Sequence, residues 1–253
     1  MQKTIRGTLL RLVMGFGLLA FVSAASVPAN ATGASPNPNV FPRHSDPLGT
    51  SYNDWAALWN QWAFSLPAEA HPLFDTADCS AGQSGPVWFL GGKFCQATNS
   101  GCTAGTAVRT CAVPAGKALF FPVVSVACNT EEAKQGFCPP ATLNLAEMQT
   151  WANSIFELTQ GIQGTLDGDP LGTNLKRNFR VQGPALPILI PSFPAGQHNL
   201  LQAVGETSIG PGSYLLTDAG VYVMLRPLPP GQHTLNFKET AFGLNVTYTI
   251  DVQ

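Results

Sequence analysis

The chain has 253 residues, only 11% of them charged, with 15 Asp and Glu against 13 Lys and Arg. Lys3, Arg6 and Arg11 stand at the extreme N-terminus, so the remainder carries a net charge of about −5 and no basic run or stripe. Nucleic acid and anionic membrane surfaces are therefore poor partners, because phosphate binding needs clustered Lys and Arg.

The first element is a leader. A basic start precedes a short apolar core at 12–24, and small residues follow, with cleavage expected after Ala24 or Ala31. This is the pattern of a secretory signal peptide spanning 1–31. The apolar core is too short to cross a bilayer, and no later run reaches about 18 apolar residues, so no transmembrane segment is expected. The mature protein is expected to be secreted or periplasmic. Residues 32–50, rich in Pro, Asn and Ser, read as an extended N-terminal arm. Residues 51–253 are long enough for a single domain with a substantial core.

Structure is expected from Ser51. Trp55, Leu58, Trp59 and Trp62 recur at i, i+3, i+4 and i+7, one face of a helix over about 51–66. Ser51 with Asp54 marks its start and Pro67 its end. A second helix over about 144–158 follows from Leu145, Met148, Ala152, Ile155 and Phe156, with Asn144 as N-cap. The rest reads as β. Residues 86–94 and 117–125 are apolar runs, 164–171 a hairpin turning at Asp167–Gly168, and 176–182 a strand. Three strands in series follow at 219–226, 233–238 and 244–252, the last alternating Val246, Tyr248, Ile250 and Val252 with polar residues. A Pro/Gly turn recurs at Pro114, Pro194 and Pro230, at unequal spacing. The fold class is therefore mainly β: a β-sandwich, with a jelly roll as one arrangement, and two peripheral helices.

All six cysteines lie between Cys79 and Cys138. In an exported chain an even number implies disulfides. Cys95 and Cys102 flank one polar loop and Cys128 and Cys138 another, and if both pair locally, Cys79 is left for Cys111. No C-x2-C or C-x4-C spacing favours zinc, so no metal is expected. No dinucleotide, P-loop or Gly-x-Ser-x-Gly motif is found, and no cofactor is expected.

Several residues are candidates for chemistry. Trp55, Trp59, Trp62 and Trp88 form an aromatic concentration that would stack on sugar rings if exposed, and would dock the helix if buried. His71, with Glu69 and Asp75, could bind a metal or move a proton, although Pro72 breaks regular spacing. His198 and His233 each follow Gly-Gln. If they open neighbouring strands, they could converge with Glu206, Tyr222 or Arg226 in a groove. Glu131 and Glu132 read as solvated loop charge.

The segments Trp55–Trp62, Pro72–Asp75, Gly82–Leu90 (GQSGPVWFL) and Val113–Pro122 (VPAGKALFFP), with Val221–Leu225 and Leu228–Thr234, resemble a family of exported bacterial proteins of uncharacterised function. The resemblance implies an exported globular β protein and carries no activity. The expected function is a non-catalytic binding or surface-associated protein, with a glycan or cell-surface component as partner. The alternatives are a secreted polysaccharide-active hydrolase or lyase, and a structural envelope protein.

Overall fold

A computed structural model describes residues 37–138, 144–182 and 185–253. The expected leader at 1–31 and the first residues of the arm lie outside the described residues. No described helix is long and apolar enough to cross a membrane.

Among the described residues, ten strands form two five-stranded sheets. Sheet A contains β1 (Val87–Phe89), β3 (Ala118–Asn129), β8 (Gly212–Leu225), β6 (Arg180–Gln182) and β7 (Leu186–Ile190). Its order is β1-β3-β8-β6, and β7 pairs with the first half of β8. Sheet B contains β2 (Thr106–Val113), β10 (Leu244–Val252), β9 (Gly231–Glu239), β4 (Gln163–Leu166) and β5 (Asp169–Pro170), in that order. The helices are α1 (Tyr52–Phe64), α2 (Thr130–Gln135), α3 (Leu145–Glu157), α4 (Leu175–Asn178) and α5 (Leu200–Ala203). The two long ones fall where the helical spacing predicts.

The two sheets pack face to face, with Phe121 of β3 stacked on Phe237 of β9 at 5.0 Å. This is the expected β-sandwich, and α1 covers the far side of sheet A. There Tyr222 stacks on Phe120 at 5.4 Å, and Trp59 meets Tyr222 edge-on at 6.2 Å. Two pairings, β1–β3 and β2–β10, are parallel. A jelly roll is built from antiparallel strands, so the strand order here is a different one.

Strand β2 escapes the sequence reading because Thr, Ala and Arg dilute its apolar face. It is the parallel neighbour of β10 along its whole length, pairing Thr106 with Asn245 through Val113 with Val252. The expected strand at 176–182 is half helix. Asn174, at φ 45°, turns the chain and accepts the Arg177 N–H through its side chain, so α4 forms first and β6 begins only at Arg180.

The arm is tied to the body over its described part. Val40 bridges Leu225, and Arg43 donates to the Arg180 carbonyl and the Asn53 side chain. Arg226, a candidate site residue, serves here too. Its Nε donates to the Pro38 carbonyl and its guanidinium lies 4.1 Å from the Phe41 ring centroid.

Helix α3 begins at Asn144, whose side chain accepts from Ala146 N at 3.0 Å. Asn144→Ala is expected to lower stability by about 1 kcal/mol, read from the urea midpoint, because one helix-start N–H loses its acceptor.

Three disulfides are present, Cys79–Cys111, Cys95–Cys102 and Cys128–Cys138.

Candidate ligand-binding cleft

Helix α1 presents its tryptophans inward. Trp55, Trp59 and Trp62 are buried, and so is Trp88. Each α1 indole N–H is used: Trp55 donates to the Pro47 carbonyl, Trp59 to Leu90 at 2.7 Å and Trp62 to Ala81. These are docking contacts that tie α1 to the loops on either side, and the four rings form no exposed strip for sugar stacking. The i, i+3, i+4, i+7 pattern gives the helical face. Which surface that face meets is a tertiary matter.

The histidines do not converge. His71 is fully buried, accepts from Leu73 N at Nδ1 and donates from Nε2 to the Ala63 carbonyl at 2.9 Å. Burial holds its pKa down at about 4, so it is a neutral core residue. Asp75 turns away from it to Lys93 at 2.8 Å and Arg109 at 2.6 Å. Partial burial pushes this carboxyl up, but the two cations outweigh it and hold the pKa below the ordinary value. His198 pairs with Glu69 at 2.7 Å, and His233 with Asp167 at 2.7 Å and the Pro229 carbonyl. His198 and His233 are thus each bonded to a separate carboxylate distant in sequence, and His71 to backbone groups of the core. No described group of three or more His, Cys, Asp and Glu could hold a metal.

The polar residues that do converge come from three elements, α1, β3 and β8. Asp218 of β8 is buried and accepts from the Tyr222 hydroxyl, from Ser125 Oγ at 2.8 Å and from Asn60 Nδ2 at 3.2 Å. Burial pushes its pKa up to about 6, although all three donors oppose the rise. Gly220 makes this possible. The β3–β8 register shifts between Pro122 and Val124, and a Cβ at Gly220 would lie 2.7 Å from the Val124 carbonyl oxygen. The bare backbone lets β3 close in and sets Ser125 against Asp218.

Ser125 also lines two adjoining cavities that share the walls Trp59, Phe94, Ser125 and Ala127. The larger, about 460 Å³, is walled mainly by apolar groups of Val124, Val126, Ile155, Phe242 and Leu244. The smaller, about 230 Å³, is walled by Phe64, Leu200, Leu201 and Val204, and carries Glu132 and Glu206.

Glu132 is buried, contrary to the expected solvated loop charge. It is the third helical residue of α2, and its Oε2 accepts from Asn129 N while Asn129 Oδ1 accepts from Glu132 N, a reciprocal cap. Desolvation first, and then the nearby charge of Glu206, raise its pKa to about 8. Burial raises Glu206 as well, and its Oε2 is buried with no hydrogen-bond partner among the described residues. Two carboxyls this close cannot both ionise cheaply, so the pair holds a proton at neutral pH. A sequence signal for Glu132 exists: Asn129-x-x-Glu132 is a capping-box spacing. Asp218 also has one, as a lone carboxylate within the apolar run 215–225.

Compared with protein-family models, curated proteins and solved structures, the chain matches none of them.

Proposed function

We propose that this is an exported, non-catalytic binding protein whose ligand is a small amphipathic molecule seated in the paired cavities. The observation that carries the reading is the cleft itself: apolar walls of ligand-site volume with the side chains of Glu132 and Glu206 lining one lobe. Small-molecule sites combine this kind of apolar lining with a few placed polar groups. The hydrocarbon body lies against Val124, Val126, Ile155 and Leu244. The head group lies at Glu132 and Glu206, where a donor or an ammonium takes the place of the shared proton. An anionic head is disfavoured there, because it would stand against two carboxyls in a desolvated lobe.

The three bridges and an exported leader suit a protein that works in an oxidising compartment. Support for the enzyme alternative is weaker, since each flagged histidine is bonded into a separate turn or the core.

Dodecylamine and dodecanoate, titrated calorimetrically into the whole mature protein at pH 7, provide the test. Dodecylamine is expected to bind and dodecanoate not. Glu206→Gln is expected to weaken the amine at least tenfold, about 1.4 kcal/mol. Failure of both amphiphiles to bind, or equal binding of both, overturns the reading.

A further inference from the structure

We propose that the outward face of β2, β10, β9 and β4 binds a neutral polysaccharide. This surface is separate from the cleft and does not rest on the reading above.

The face is a register of short polar side chains. Thr249 lies between Thr110 and Thr234, and Thr247 between Val108 and Asn236. Strands spaced about 4.8 Å apart, with same-face residues about 6.8 Å apart along each strand, turn this register into a two-dimensional grid. The alternation that buries Val246, Tyr248, Ile250 and Val252 leaves Thr247 and Thr249 on the open side, partly accessible, with Thr110, Thr234 and Val108 exposed.

Three physical features select the occupant. The first is charge. On these four strands the outward face carries Lys238 and Asp251, at opposite ends, and the turn after β4 adds Asp167, bonded to Thr234 N and His233 at the rim. Protein surfaces usually carry about a quarter to a third of Lys, Arg, Glu and Asp. A face of hydroxyls and amides instead matches a polymer of uncharged hydroxyl groups, and it lacks the clustered cations that a polyanion needs. The second is preorganisation. Asn236 Nδ2 donates to Asn245 Oδ1, the Val246 carbonyl and Thr247 Oγ1 at 2.9–3.1 Å. The centre of the grid is therefore fixed before anything docks, which cuts the ordering cost of binding. The third is the side chain itself. Threonine has few rotamers to lose, and its methyl and hydroxyl offer the sugar ring both an apolar and a polar contact.

The experiment is co-sedimentation of the whole mature protein with insoluble cellulose, chitin and starch granules, in low salt and in about 0.5 M sodium chloride. Wild type is expected to sediment with at least one of the three, equally in both salts, because no ion pairs are involved. Thr234→Lys and, on the other side of β10, Thr110→Lys are each expected to lower the bound fraction at least tenfold. Both side chains are exposed, so their melting temperatures report that the fold is kept. Glu206→Gln, confined to the cleft, should bind polysaccharide as wild type does. The proposal is overturned if none of the three polymers is bound, if binding vanishes at high salt, or if both lysine variants bind normally with intact folds. Inhibition of ice recrystallisation without polysaccharide binding would also overturn it, assigning the grid to ordered water instead.

Discussion

Replacing Cys79 and Cys111 together by alanine is expected to cost about 4 kcal/mol of stability, the larger loss among the three bridges. The bridge closes a loop of sequence separation 32, against 7 for Cys95–Cys102 and 10 for Cys128–Cys138. Cross-linking lowers the entropy of the unfolded chain, and the gain grows with the logarithm of the loop closed, to about 2.5 kcal/mol for the shortest. Position matters as well. Cys111 is buried on β2, paired in register with Ile250, while Cys79 lies in the segment that follows α1. This bond therefore ties the α1 side of the molecule to sheet B. Urea unfolding of the three paired-alanine variants measures the order. A long-loop variant that loses no more than the Cys95/Cys102 variant would show that residual structure in the unfolded chain already closes this loop.

Glu132→Gln is expected to remove a pH dependence. Burial and Glu206 raise the pKa of Glu132 from 4.5 to about 8, so the native state holds a proton that the unfolded chain has already released. The native state is thus best favoured below the unfolded pKa, and stability is lost as pH rises from about 4.5 through about 8. Glutamine keeps the acceptor for Asn129 N and has no charge to bury. At pH 5 the variant should nearly match wild type. At pH 8.5 it should be the more stable by on the order of 3 kcal/mol. Asp218, raised to about 6, adds a loss in the same direction. His71, held down at about 4, opposes it, because its stability contribution falls as the solution becomes acid. Both are common to variant and parent and cancel from the difference. Melting temperatures across pH 5–8.5 read the result, and parallel curves for the two proteins would sink the shared-proton account.

These two expectations differ in how far they could be read in advance. The cysteine pairing follows from two polar loops that close locally and leave one pair over, a matter of spacing along the chain. The carboxyl pair does not. Glu132 carries a local sign of order in its capping spacing, but nothing near it names Glu206, which α3 through α5 separate from it in the chain. Trp55, Trp59 and Trp62 lie between these cases. Their spacing makes one helical face legible, and only the docking of α1 on Phe120 and Tyr222 shows that face to be buried. His198 and His233 share a turn motif, yet each is bonded to a different nearby carboxylate, so likeness in text does not bring them together.

By itself the sequence determined what repeats over a few residues. It marked the period-two strands at the C-terminus, the two long helices, the Asp167–Gly168 turn and the tally of cysteines, because backbone periodicity and turn geometry are set by neighbouring side chains. Tertiary structure decided what depends on chain segments meeting. The parallel pairing of β2 with β10, the approach of β3 to Gly220, the meeting of Asn60, Ser125, Asp218 and Tyr222, and the cleft beside them all require long loops to close. The core burial that drives such closure is not directional, so no local pattern announces which segments it will join.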